Sequence, residues 1–130
     1  MYMVDTLKKE KKRNLNSYEY CFLSCLKNSK FEDAIVNYFH KDILIIYNNK
    51  KRLVDKQNWI RYVKRSILNK FTDVIQFKIA NIKILNEDMF FDVFMICKKH
   101  TGTLFFTEIK IQHKWDNNLI YQTTYELHNY

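Results

Sequence analysis

The chain has almost none of the residues that bend a backbone sharply: one glycine and no proline among 130 residues. Glycine-rich loops that bring the backbone close to a phosphate are therefore nearly excluded, and neither a P-loop nor a Gly-x-Ser-x-Gly motif is present. No cofactor is predicted. There are only three cysteines, an odd number, so they do not form a disulfide framework. This favours a reducing compartment and a cytoplasmic location.

Long apolar runs are missing as well. The densest one, residues 89–97, is much shorter than the roughly 20 residues that span a bilayer, and Asp92 interrupts it. The first residues lack the apolar segment of a signal peptide. We therefore expect no membrane partner.

Positive charge is in excess, with a formal net charge of +8. Residues 8–13 carry five cations and Glu10, a net +4 and half of this excess, and the rest is scattered along the chain. Nucleic-acid surfaces usually gather cations on one face with aromatic rings between them. The sequence therefore favours a solvated basic surface over a nucleic-acid partner. It predicts a basic N-terminal extension at 1–13, which buries nothing, and a single domain at 14–130.

Three stretches have the apolar spacing of helices. The first covers residues 14–27. A capping box formed by Ser29 and Glu32 predicts the start of a second, short helix. Asp55 is the predicted N-cap of a third helix that continues to Leu68.

Strands surround and follow the third helix. Residues 43–47 predict a short strand, and four long strands follow from Val74 onward. The apolar phase slips by one residue near 80–81, which predicts a β-bulge and a bent strand. Residues 89–96 are apolar on both parities, so both faces of that strand should be covered.

We predict an α+β fold with three helices on the concave face of a curved, mostly antiparallel sheet. Its convex face is predicted to form a homodimer.

Two stretches resemble parts of a known superfamily. Residues 31–43, FEDAIVNYFHKDI, are similar to a short helix that runs into the first strand through an Asp. Residues 113–120, HKWDNNLI, are similar to the last hairpin of the same fold. They resemble the nuclear-transport-factor-2-like (NTF2-like) superfamily and, within it, the SnoaL-like proteins. The resemblance covers residues 14–128 and implies a cone-shaped fold with a pocket inside the cone.

The resemblance also implies where a catalytic carboxylate would lie. Ketosteroid isomerases of this superfamily have their base Asp at the end of the first strand, where this chain has Tyr47. SnoaL-type cyclases have an Asp on the penultimate strand, where this chain has Lys110 or Ile111. Neither position holds a carboxylate, which disfavours both reactions.

Two other residues are candidate catalytic groups. Asp92 is a carboxylate in a strongly apolar strand, where burial would raise its pKa and make it a usable base. His113 shares the inward parity with Ile111 and Trp115 and could act as a general base. Each also has a structural explanation: Asp92 would pair at a subunit contact, and His113 would be a satisfied core residue.

Aromatic residues are abundant and predict a pocket lined with rings. The predicted ligand-binding residues are Tyr18, Phe22, Tyr47, Trp59, Tyr121 and Tyr125. Cys21 and Cys25 lie one helical turn apart and could share a metal, but no further ligands complete a tetrahedral set, so no metal site is predicted.

The leading functional hypothesis is a non-catalytic domain that binds a small apolar or aromatic ligand in the cone. One alternative is an isomerase, dehydratase or cyclase that uses Asp92 and His113. Another is a protein-interaction module that acts through the sheet face.

Overall fold

Helices and strands follow one another in the predicted order, with one additional strand. The computed structural model describes residues 14–65 and 73–129; the predicted basic extension and the predicted helix end at Leu68 lie outside them. The helices are α1 (Ser17–Lys27), α2 (Phe31–Tyr38) and α3 (Lys56–Val63). The strands are β1 (Phe39–Tyr47), β2 (Lys50–Asp55), β3 (Asp73–Leu85), β4 (Asp88–Lys98), β5 (Leu104–Asp116) and β6 (Leu119–Asn129).

The six strands form one sheet in the order β2-β1-β6-β5-β4-β3. All neighbours are antiparallel except β1 and β6, which run parallel. This confirms the predicted α+β fold with a mostly antiparallel sheet. Strand β2 was not predicted, because most of its residues are polar and exposed. Its position at the edge of the sheet allows this, since charged side chains there discourage pairing with another chain.

Asparagine supplies the backbone conformations that glycine usually supplies. Among the described residues, eight have a positive φ, and six of them are asparagines with φ between 51° and 66°. They are Asn48, Asn49, Asn81, Asn86, Asn117 and Asn118. Asparagine tolerates the left-handed region better than most residues with a side chain. The tight turns of this sheet therefore form in a chain with a single glycine.

The predicted bulge in β3 is confirmed. The register between β3 and β4 shifts between Ala80 and Lys83, and Asn81 in this segment has a φ of 57°. The extra residue bends the strand and increases its twist, which curves this end of the sheet.

The predicted capping box at Ser29 is wrong. Helix α2 has Lys30 as its N-cap, with no side-chain capping hydrogen bond. Ser29 has a φ of 59° and lies in the tight connection after α1, so its hydroxyl cannot take the N-cap geometry. The capping box occurs instead at the start of α1, where Asn16 Oδ1 accepts a 2.9 Å hydrogen bond from the Glu19 amide and Glu19 Oε1 accepts one from the Asn16 amide.

Each helix places an aromatic ring against the concave face of the sheet. The contacting pairs are Phe22–Phe91, Phe31–Phe77 and Trp59–Tyr125, with ring centroids 6.4, 5.3 and 6.2 Å apart. Strand β4 buries Met89, Phe91 and Val93 against this layer, whereas Phe90 and Phe94 point to the outer face. Within the described residues, the helices are too short and too polar for any of them to cross a membrane.

Candidate functional site

An apolar cavity of about 130 Å³ lies between the helices and the concave face of the sheet. Its walls come from all three helices, from the start of β1 and from β3, β4 and β5. They include Phe22, Leu26, Phe31, Ala34, Ile35, Phe39, Trp59, Val63, Phe77, Phe91, Val93, Ile109, Ile111 and His113. An engineered apolar cavity of about 150 Å³ holds a benzene molecule. This cavity is therefore close to the size of one aromatic ring.

His113 is the one ionisable side chain among the described residues that line the cavity. It is only 5% exposed, and its ring lies edge-on to Phe22, Phe39 and Phe91 with centroids 5.3–5.5 Å apart. Burial lowers the pKa of His113 to about 3, because the apolar surroundings disfavour the imidazolium. The imidazole is thus neutral at neutral pH.

The Nδ1 atom of His113 has no hydrogen-bond partner among the described residues. Thr123 is the register partner of His113 on β6, and within the described ranges its buried Oγ1 also has no hydrogen-bond partner. Buried polar atoms in native proteins are nearly always paired. The neutral imidazole can donate or accept at Nδ1, depending on its tautomer. This wall of the cone therefore offers a hydrogen-bonding atom next to an apolar cavity.

Asp92 lies on the opposite face of the sheet. It follows the buried Phe91, pairs in register with Lys110 and accepts a 2.7 Å hydrogen bond from Asn81 Nδ2. Because successive side chains of a strand point to opposite faces, Asp92 and His113 cannot contact one substrate from the same side. The structure does not bring the predicted catalytic pair together. The sequence could not decide between the faces, since both parities of β4 are apolar.

The positions at which the resemblance would place a catalytic carboxylate hold other types of residue. Ile111 lines the cavity, whereas Lys110 points to the outer face. Tyr47 lies at the end of β1 and stacks on Tyr125. None of the described residues that line the cavity is a carboxylate.

The predicted ligand-binding residues divide among several places. Phe22 and Trp59 line the cavity in the cone. Tyr47 and Tyr125 lie together in a separate groove, to which Trp59 also contributes. Tyr18 is 49% exposed on α1 and reaches neither space.

Tyr121 does not face the cone as predicted. The register between β5 and β6 passes from Lys114–Gln122 to Trp115–Ile120, so Tyr121 is an extra residue at a bulge. The bulge turns Ile120 inward, where it is fully buried, and leaves Tyr121 39% exposed. The alternation of apolar residues on β6 gave no sign of this irregularity.

The separate groove is open, has a volume of about 710 Å³ and lies between α3, the β1–β2 hairpin and β6. Tyr47 stacks on its register partner Tyr125, with centroids 4.6 Å apart and an interplanar angle of 21°. Trp59 stacks on Tyr62 at 5.4 Å and 13°. The hydroxyls of Tyr62 and Tyr125 lie 3.4 Å apart, and burial together with this contact raises the pKa of Tyr125. The four rings form one connected cluster.

Sequence reasoning missed the cations of this groove. They are Lys50, Arg52, Arg61 and Arg65. Arg61 lies on the exposed side of α3 and Arg65 lies four residues later, just beyond the end of this helix, a spacing that is equally typical of a solvated face. Arg52 faces the same groove because β2 pairs it with Ile45, and β2 was not predicted.

Metal ligands are not clustered in the described parts of the chain. Across residues 14–65 and 73–129, no group of three His, Cys, Asp or Glu residues could hold a metal ion. Cys21, Cys25 and Cys97 are free thiols.

Comparison with known proteins supports the fold. No protein-family profile and no curated protein sequence matches the chain. Solved structures do match. A candidate SnoaL-like polyketide cyclase from Mesorhizobium loti aligns with a TM-score of 0.71 at 11% identity, over 88% of this chain and 99% of that one. A second such candidate, from Jannaschia sp. CCS1, aligns with a TM-score of 0.72 at 7% identity, over 88% of this chain and 90% of that one.

An NTF2-like protein of unknown function from Cytophaga hutchinsonii aligns with a TM-score of 0.67 at 11% identity, over 88% of this chain and all of that one. The protein therefore has the NTF2-like fold, as its sequence predicted. Identities this low establish the fold only, because one fold hosts many unrelated functions.

Proposed function

We propose that the protein binds a small apolar or aromatic molecule inside the cone and does not catalyse a reaction on it. The observation that carries this proposal is the cavity of about 130 Å³, whose apolar walls include His113, and the Nδ1 atom of this residue has no hydrogen-bond partner among the described residues. A single ring would fill the space and gain about 25 cal/mol for each Å² of apolar surface removed from water. A hydroxyl or amine on that ring would form a hydrogen bond with the imidazole of His113.

The residues around the cavity argue against acid–base catalysis. A general base works best when its pKa lies near the operating pH, whereas burial lowers that of His113 to about 3. Asp92 faces away from the cavity, so the isomerase, dehydratase or cyclase alternative lacks its second group.

Isothermal titration calorimetry with benzene, phenol and cyclohexanol tests the proposal. We expect binding in the millimolar to micromolar range, with phenol tighter than benzene because its hydroxyl pairs with His113. Val63→Phe adds a ring to the cavity wall and should abolish binding. Val36→Phe makes the same change on the exposed side of α2 and should bind like the wild type.

Two results would contradict the proposal. One is an absence of binding by all three compounds in the folded wild-type protein. The other is equal binding by the Val63→Phe and Val36→Phe variants, each shown to be folded by circular dichroism.

We further propose that the protein forms a homodimer through the outer face of β4 and β5. This face exposes Phe94 by 37% and Leu104 and Phe106 by 52% each. Ile96 lies between them as the register partner of Phe106. The protein-interaction alternative would place a different partner on the same face. The cytoplasmic location stays a prediction, which the three free thiols support.

A further inference from the structure

The open groove combines aromatic and cationic chemistry in one small space. Its aromatic part is the cluster of Tyr47, Tyr125, Tyr62 and Trp59, in which Tyr62 is 43% exposed. Because Tyr62 is partly exposed, its ring offers apolar surface against which another flat ring can pack, offset-stacked or edge-to-face. Trp59 forms part of the wall of both the groove and the inner cavity.

The cationic part consists of three arginines and a lysine at the rim. Arg52 comes from β2, Arg61 comes from α3, and Arg65 comes from the residues that directly follow α3. None of these arginines forms an ion pair with a carboxylate in the described ranges. Guanidinium groups without a carboxylate partner that line one groove are suited to a carboxylate or phosphate, which they can bind in a bidentate manner.

The acidic residue of the groove does not oppose these cations. Asp55 is the N-cap of α3, as predicted: its Oδ1 accepts a 2.8 Å hydrogen bond from the Asn58 amide, and its Oδ2 accepts one from Asn58 Nδ2. Both carboxylate oxygens are thus directed at the start of the helix.

We propose that this groove is a second binding site, for a small molecule that carries a flat aromatic ring and an anionic group, either carboxylate or phosphate. The ring packs against Tyr62 and the stacked Tyr47–Tyr125 pair, and the anion is bound by Arg52, Arg61 and Arg65. This site is distinct from the one in the cone: the groove arginines do not line the inner cavity, and the two linings have Trp59 in common.

The dimensions favour a small molecule over a nucleic-acid strand. A volume of about 710 Å³ lies within the range of about 300–1,000 Å³ typical of small-ligand sites. A strand would need cations that continue along a path beyond one groove. Binding of a single nucleic-acid strand is the competing outcome, and the titration below includes a probe for it.

Calorimetric titration of the 130-residue chain separates the two chemical requirements. The probes are AMP, which has both ring and phosphate, adenosine, inorganic phosphate, 1-naphthoate and 1-naphthalenemethanol, with a twelve-residue oligothymidylate as the strand. We expect at least one aromatic anion to bind about tenfold or more tightly than its uncharged analogue and than phosphate, with affinity that falls as NaCl is raised.

Variants assign the binding to the groove. Arg61→Ala with Arg65→Ala should reduce the affinity for the aromatic anion about tenfold or more. Lys110→Ala with Lys114→Ala removes the same charge from β5 outside the groove and should leave it unchanged. Val63→Phe, which fills the cone, should also leave it unchanged, so failure of the cone proposal is distinguishable from failure of this one.

Four results would overturn the proposal: equal affinity for charged and uncharged rings, equal affinity for phosphate alone, equal loss in the Lys110/Lys114 control, or tighter binding of the oligothymidylate. If both arginine replacements unfold the protein, Arg52→Gln provides the same test from the opposite wall.

Discussion

The side-chain amide of Asn81 donates a 2.7 Å hydrogen bond to the carboxylate of Asp92. Asn81 belongs to the bulge that bends β3, and Asp92 lies on the outer face of the neighbouring β4. The bond therefore joins the irregular segment of one strand to a regular strand beside it. It gives Asp92 a structural role in the sheet.

Replacing Asn81 should separate the hydrogen bond from the backbone conformation. Asn81→Ala loses the bond and places an unsuited residue at a φ of 57°, so the free energy of unfolding should fall by about 2 kcal/mol. Asn81→Gly keeps the conformation accessible and should lose only about 1 kcal/mol. Urea unfolding measures both. Equal losses in the two variants would show that the left-handed conformation contributes nothing.

The buried imidazole of His113 should make the protein less stable as the pH falls. Its pKa is about 3 in the folded protein and 6.5 in the reference state, so the unfolded chain binds more protons between these values. Stability should therefore decrease as the pH falls through 6.5 toward 3, by at most about 1.4 kcal/mol per pH unit.

Urea unfolding at pH 7 and pH 5 measures this dependence. His113→Leu should lose less stability over the interval than the wild type, by up to about 2 kcal/mol. Identical pH dependence in His113→Leu and the wild type would show that the imidazole is accessible to protons in the folded protein.

The exposed outer face should make the protein a dimer. Sedimentation at micromolar concentration is expected to show about twice the chain mass of 16.0 kDa. Phe106→Asp should give a monomer, because it places a charge in the apolar face. Leu53→Asp changes a more exposed residue on β2 and should leave the dimer intact. A monomeric wild-type protein would contradict the homodimer.

Features that depend on short-range sequence were predictable. The N-cap at Asp55 and the slip in apolar phase near Asn81 depend only on nearby residues, and both are confirmed. The Ser29 capping box had the same kind of support and failed, because the chain enters α2 through a left-handed residue. A capping motif specifies the hydrogen bonds that are possible, and the connection decides which of them form.

Features that depend on pairing between distant segments were not predictable. Strand β2 is polar because it lies at an edge, so its pattern does not differ from that of a loop. The face of Asp92 was ambiguous, because β4 is apolar on both parities. The groove could not be predicted for the same reason: Arg52 and Arg61 line one groove only after β2 pairs with β1 and α3 packs beside them.

A crystal structure of the protein purified from its own cells, with no ligand added, is the most direct test of binding in the cone. We expect electron density for a ring-sized molecule between Phe22, Phe91 and His113, with a polar atom within hydrogen-bonding distance of His113 Nδ1. Side chains that close the cavity completely, so that no space for a small molecule remains, would contradict the proposed function.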